Sequence, residues 1–377
     1  MRVRGAVLRE MGLPKPYADS RPLEIVDLEL DPPGAGELLV RVGAAGLCHS
    51  DLSVIDGSRP RVMPMVLGHE AAGEVVGTGG ETPGFAEGDH VVLSFVPTCG
   101  ACGPCRAGRA ALCEPGAAAN AAGSLLSGER RWAEPGNGSG GRPLHHHLGV
   151  SAFADHVVVS AHSAIKVDAS LPYEIAALFG CAVLTGVGAA VNSAQVVDGD
   201  RVVVFGLGGV GLAALLGAKL AGAAEIVAVD MVEDKLEQAR RLGATPVHAG
   251  ENVVEAVREA TGGGGDKVIE TVGSARVLAQ AYEATRRGGT TVTVGLPHPE
   301  QRLDIQAVSL VAEERTLKGS YLGSCVPDRD IPKFVKAYQD GRLPVQELLT
   351  HRITMDEINL GFDRLAAGAA VRQAVIL

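Results

Sequence analysis

An apolar run, Arg201-Val202-Val203-Val204-Phe205, leads without interruption into Gly206-Leu207-Gly208-Gly209-Val210-Gly211 and then into a helical pattern over 210–220. Few folds accept a G-x-G-x-x-G turn between a strand and a helix. There the glycines let the backbone approach a pyrophosphate at the helix N-terminus. In a chain with 50 glycines the bare motif can arise by chance, so its flanks decide the matter. Strand-like and helix-like segments alternate onward, at 225–230, 233–242, 267–271 and 290–294, and the later strands lead into glycine turns. This alternation predicts a doubly wound parallel sheet of the α/β class, running to about Leu322. Asp230 ends the next strand about 20 residues beyond the motif, where a carboxylate binds both ribose hydroxyls and repels a 2′-phosphate. Met231 and Val232 offer no positive charge, and Lys235 is close enough to touch the ribose. The expected cofactor is NAD rather than NADP.

The rest of the chain has a different texture. Over residues 2–110 short β-rich segments such as 38–42 and 90–93 are punctuated by Gly, Pro and Asp turns, which predicts a compact β-rich domain. A chain of 377 residues with 46% hydrophobic side chains suits two domains, and the last fifty or so residues are expected to fold back on the first. Residues 116–147 are rich in Gly, Ala and Ser and read as a long surface excursion. The formal net charge of -10 argues against a nucleic-acid partner. The uncharged stretch 175–197 approaches the length of a membrane span, but Thr185, Asn192, Ser193 and Gln195 dilute it, so buried helix and strand are expected. The opening residues carry no apolar run long enough for a secretory signal, and a cytoplasmic protein is the expectation.

Six of the seven cysteines fall into two groups. Cys99, Cys102, Cys105 and Cys113 form a C-x2-C-x2-C-x7-C run that closes a tetrahedral thiolate cage from one lobe, a structural zinc site. An iron–sulfur cluster fits less well, since ferredoxin runs use a shorter last gap followed by proline, and Glu114 stands here. Cys48, His69 and Cys181 are scattered along the chain. Together they make a Cys2His set that leaves a fourth zinc position open, the mark of a catalytic site. A zinc so held polarises an alcohol oxygen and lowers its pKa, so that hydride can leave for nicotinamide. Ser50 is placed to accept the substrate proton, and Asp51 and Glu70 to orient His69 and tune the metal. Cys325 is left over by the odd count and reads as an unremarkable buried residue.

Gly46-Leu47-Cys48-His49-Ser50-Asp51, Gly68-His69-Glu70-Ala71-Ala72-Gly73, the four-cysteine lobe, Gly180-Cys181 and the glycine motif together resemble the zinc-dependent medium-chain alcohol dehydrogenases over essentially the whole chain. The closing Ile358-Asn359-Leu360-Gly361-Phe362 and Arg372 belong to the same resemblance. It implies a β-rich GroES-like catalytic domain from residues 1–182 and 322–377, with a zinc lobe at 97–115. A Rossmann domain would span 183–321, and the cleft between the two would hold substrate and NAD. It further implies that His49 and Arg372 contact the pyrophosphate and that Thr185 and Val210 border the nicotinamide. Phe95 and Leu296 would line an apolar substrate wall, and 116–147 would place the chain in a longer, typically dimeric branch, with a tetramer the alternative. The run His145-His146-His147 is similar to a histidine pair the family carries before Leu148-Gly149, and reads as structural. One departure is Ser53, where many liver-type members end their proton relay with histidine.

The expected activity is NAD-dependent oxidation of a primary alcohol to its aldehyde, with two zincs per chain. The alternative is a thiol-dependent formaldehyde dehydrogenase, for which Arg130 and Arg131 would serve at the pocket mouth. A third reading is a relative that keeps the fold without catalysis. Tightly held, non-exchanging NAD is a further variant.

Overall fold

The computed structural model describes residues 1–136 and 141–377, so residues 137–140 of the expected surface excursion lie outside the described residues. The chain divides into two compact units. One comprises Met1–Cys181, Val326–Val335 and Leu349–Leu377, the other Ala182–Cys325 and Lys336–Leu348.

The first unit is β-rich. Strands Arg2–Leu8, Leu23–Leu30, Trp132–Ala133, Pro143–His146 and Met65–Val66 close a small barrel. A second sheet is centred on Glu37–Gly46, which pairs with Ala71–Thr78, His156–Ser160 and the C-terminal strand Arg372–Ile376. Alternation in these strands turns Val40, Val42, Val157 and Val159 into one apolar core with Leu28, Phe153 and Phe362. Here the structure departs from the reading of 116–147 as a surface excursion. That segment begins in a helix, Glu114–Ala122, and supplies two of the barrel strands. Leu125, Trp132 and Leu144 are buried within it. Three well-spaced apolar anchors hold the segment down, and the Gly, Ala and Ser residues around them hid that pattern.

The second unit is built on a six-stranded sheet in the order Thr245–His248, Glu225–Asp230, Arg201–Phe205, Gly265–Glu270, Thr285–Thr293, Thr316–Gly319. All five pairings are parallel. The order reverses direction beside Arg201–Phe205, so the topological switch point falls where the glycine motif begins. Central strands such as Val202-Val203-Val204 are wholly buried, as expected of a sheet covered on both faces. The expected doubly wound sheet is therefore present. The uncharged stretch 175–197 forms short, mostly buried helical pieces, and among the described residues no single helix is long and apolar enough to cross a membrane.

Candidate active site

Cys48, His69 and Cys181 lie more than a hundred residues apart at their extremes, yet all three are buried and their ligand atoms lie within 4.8 Å of one another. Each reaches the site through a tight piece of backbone. Cys48 precedes the helix His49–Ile55 and donates its amide to Asp51 Oδ2 at 3.3 Å. His69 follows Gly68, whose φ of 94° suits glycine, and a Cβ there would stand 2.6 Å from the Phe153 nitrogen. Cys181 sits at φ -141°, ψ -73°, in the break between two short helices.

The two ring nitrogens of His69 differ in their surroundings. Its Nδ1 lies 3.1 Å from Asp51 Oδ1, while Nε2 is buried without an aligned hydrogen-bond partner. A buried ring nitrogen left open costs about 1–3 kcal/mol unless something binds it, which fits a metal ligand. The sulfurs agree with this. A hydrogen bond from Cys181 holds the Cys48 thiol well below its ordinary range against the opposing effect of burial, with help from Arg372. The same bond, together with burial, pushes Cys181 up. Burial opposes charge on Arg372, but Glu70, Cys48 and Cys181 outweigh it and raise its pKa. The Arg372 guanidinium lies 3.6 Å from Glu70 and donates to the Leu47 carbonyl at 3.0 Å. Glu70 fits there because residue 46 is glycine: a Cβ would stand 2.2 Å from its Oε1.

Other expected site residues lie in the same unit. Ser50 is half-buried and His49 exposed, both on the first turn of the helix that Cys48 precedes. Ser53 donates its hydroxyl to the His49 carbonyl at 2.8 Å. Phe95 packs edge-on against the His69 ring at 5.4 Å. Arg131 donates to the buried Glu37 at 2.8 Å, and Arg130 lies 3.5 Å from His145. The residue that sequence reading takes as part of a structural histidine run is His147, whose Nδ1 lies 3.1 Å from Asp51 Oδ1. Only the folded chain brings the two together, so spacing carried no signal for it.

Cys99, Cys102, Cys105 and Cys113 also bring their sulfurs within 4.8 Å of one another. Backbone amides point at them: Cys99 N to Cys113 Sγ at 3.2 Å, Cys102 N to Cys99 Sγ at 3.3 Å and Gly116 N to Cys113 Sγ at 3.4 Å. Amides aimed at sulfur favour thiolate, the form that binds metal. Hydrogen bonds from the Cys105 and Glu114 backbone lower Cys102 to about 7, whereas burial and Cys102 push Cys105 up to about 12.

In the second unit Gly206 has φ 88°, and a Cβ on Gly211 would stand 1.7 Å from the Gly206 carbonyl oxygen. The third motif glycine therefore lets the helix Gly209–Leu220 pack against the turn. A Cβ on Gly208 would meet nothing within 4 Å, so that side of the turn is open. Asp230 accepts Leu207 N at 2.7 Å on one oxygen and Met231 N and Val232 N on the other. Thr185, Val210 and Lys235 are half-buried in this unit, and Leu296 is exposed.

A doubly wound dinucleotide-type sheet and a GroES-like β-rich unit carrying a Cys2His cluster, in one chain, define a medium-chain dehydrogenase. The sequence matches the alcohol dehydrogenase GroES-like domain over residues 34–169 and the zinc-binding dehydrogenase domain over 209–340. It is 38% identical to the NDMA-dependent alcohol dehydrogenase of Amycolatopsis methanolica, covering 100% of this chain and 99% of that one. It is 34% identical to the S-(hydroxymethyl)glutathione dehydrogenase of Paracoccus denitrificans over 100% of both. The benzyl alcohol dehydrogenase structure from Acinetobacter calcoaceticus superposes with a TM-score of 0.88 at 32% identity, covering 100% of this chain and 99% of that one. The chain belongs to the zinc-dependent medium-chain alcohol dehydrogenases.

Proposed function

We propose that the protein oxidises a primary alcohol, bulky or aromatic, to its aldehyde with NAD, reversibly. The observation that carries this is the buried cluster of Cys48, Cys181 and His69, with His69 Nε2 open and Nδ1 held by Asp51. When bound, zinc supplies a Lewis acid to the substrate oxygen and NAD a hydride acceptor. Cys48, His69 and Cys181 would hold the catalytic zinc, and the four-cysteine lobe the structural one. Arg372 balances the two sulfurs and Glu70, and Asp51 fixes the ring of His69. Ser50 takes the hydroxyl proton and passes it outward as the hydride, with its electron pair, leaves carbon. The donation of the Ser53 hydroxyl to the His49 carbonyl supports a relay that does not run through Ser53. Asp230, braced by three amides, offers its remaining lone pairs to the ribose hydroxyls, which supports NAD over NADP.

The test is reduction of NAD by a panel of aliphatic, allylic and aromatic alcohols, with Cys48→Ala as the control. Turnover that vanishes in the variant supports the reading, and its absence across the panel with NAD and with NDMA alike, in a two-zinc protein, sinks it. The Amycolatopsis relative gives NDMA an arm of its own: turnover with NDMA but no accumulating NADH would mean NAD is held rather than exchanged. The Paracoccus relative favours a second reading, a thiol-dependent formaldehyde dehydrogenase. Of the two arginines that would serve it, Arg131 is engaged with Glu37, and formaldehyde with and without a small thiol separates the two activities. A homodimer is supported by the sheet's edge strand Thr316–Gly319, preceded by exposed Val308 and Val311, and light scattering measures it.

A further inference from the structure

The three consecutive histidines have three different surroundings. His145 lies beside Arg130, and His146 accepts the Arg131 amide at 3.1 Å. His147 alone turns to the metal cluster. Its ring is 1% exposed, its Nδ1 lies 3.1 Å from Asp51 Oδ1, and it packs edge-on against His69 with centroids 5.5 Å apart.

We propose that His147 is a positioning residue of the catalytic metal site: it restrains the Asp51 carboxylate and the His69 ring together, so that His69 presents Nε2 at the angle a metal requires. This rests on Cys48, His69 and Cys181 being the zinc ligands. Asp51 Oδ1 faces three donors, Gly68 N at 3.2 Å, His69 Nδ1 at 3.1 Å and His147 Nδ1 at 3.1 Å. Oδ2 takes the Cys48 amide at 3.3 Å. One wholly buried carboxylate thus ties two of the three ligand residues together, and His147 is its fourth contact. The approach of His147 is short but bent, since Nδ1 makes no aligned hydrogen bond there or elsewhere. Its effect is therefore that of a weak polar contact, the ring nitrogen facing Oδ1 and restraining the carboxylate that holds His69. The main chain holds His147 in place. Its amide donates to Ser151 Oγ at 2.8 Å, and its carbonyl accepts the amides of Val150 and Ser151. Leu148 and Ser151 adopt φ of 52° and 55° to make this turn, a conformation that costs a non-glycine residue about 1 kcal/mol or more.

Groups behind a metal ligand typically govern affinity by about 10- to 100-fold. The experiment follows zinc release from the full-length zinc-loaded protein to a chromogenic chelator, in the unaltered chain, His147→Phe and His147→Asn. The asparagine amide nitrogen takes the place of Nδ1, whereas phenylalanine keeps only the ring. In His147→Phe one of two zincs is expected to leave about 10- to 100-fold faster, with the four-cysteine zinc as unchanged internal control. His147→Asn is expected to restore most of the slow release. Cobalt(II) placed in the cluster should show shifted thiolate bands in His147→Phe and near-native bands in His147→Asn. Unchanged release and bands in His147→Phe overturn the proposal. So does equal acceleration in His147→Asn, which would mean that a nitrogen facing Asp51 is not what restrains it. If phenylalanine prevents folding, His147→Ala carries the same expectation. An unaltered protein that never holds zinc at Cys48 would overturn the metal reading, and this inference with it.

Discussion

His146 is wholly buried at the end of strand Pro143–His146, and its Nε2 can accept the Arg131 amide only while unprotonated. Burial, with Arg131 next in weight, lowers its pKa to about 3. The unfolded chain, titrating near 6.5, binds the proton first as pH falls, so the unfolded state gains protons between about 6.5 and 3 while the fold does not. Stability is complete above 6.5 and drains away below it at up to about 1.4 kcal/mol per pH unit. Between pH 7 and pH 5 urea unfolding should therefore show a loss of about 2 kcal/mol that His146→Gln, which keeps an acceptor, largely removes. An equal loss in the variant would assign the acid sensitivity elsewhere. Asp230 bears on the cofactor in a similar way. Asp230→Asn places an amide where backbone N–H groups now donate, and NAD affinity should fall about tenfold, as for a lost charged hydrogen bond, by NADH fluorescence titration. At this scale legibility depended on residue chemistry. Cysteine, histidine and aspartate announced Cys48, His69, Cys181 and Asp230, but nothing in the type or spacing of His147 says that it meets Asp51.

Glycines show how an element depends on backbone clearance. Gly211→Ala would put a methyl 1.7 Å from the Gly206 carbonyl oxygen, so the helix Gly209–Leu220 must move off its turn. Overpacking against rigid backbone costs about 1–3 kcal/mol or more, and that variant should lose both second-unit stability and NADH binding. Gly208→Ala meets nothing within 4 Å. It should melt like the unaltered protein yet bind NADH more weakly, since the added methyl enters the open side where the pyrophosphate is expected. If Gly208→Ala binds NADH normally, the ligand does not lie over that turn. Strong elements were legible for the same local reasons: Arg201–Phe205 and Glu225–Asp230 are apolar, uninterrupted and central. The edge strands were not. Thr245–His248 contains a proline and is mostly half-exposed, and Thr316–Gly319 has a single large apolar residue, so neither carries the run of buried side chains that marks a central strand.

At the scale of the whole molecule, the first unit depends on segments from opposite ends of the sequence. Arg372–Ile376 pairs with Glu37–Gly46, and Asp363 accepts the amides of Tyr17 and Ala18 at 2.7 and 2.8 Å. Asn359 makes the most demanding of these ties. Its side-chain oxygen accepts Leu23 N at 3.2 Å, and its amide donates to the Leu23 carbonyl at 3.0 Å, as a neighbouring strand would. The motif around it was legible as part of a family pattern, but not why the asparagine is there, because its partner lies 336 residues away. Asn359→Ala would leave a buried N–H and a buried carbonyl without partners, each costing about 1–3 kcal/mol. The first unit should therefore lose about 2–6 kcal/mol by urea unfolding. Leu360→Ala, at a side chain 41% exposed on the same helix, should lie within about 0.5 kcal/mol of the unaltered chain. Zinc release from the Cys48 cluster should accelerate with Asn359→Ala, because Arg372, which donates to the Leu47 carbonyl beside Cys48, is carried by the same C-terminal segment. If stability falls while zinc release does not change, the C-terminal segment braces the first unit without supporting the site.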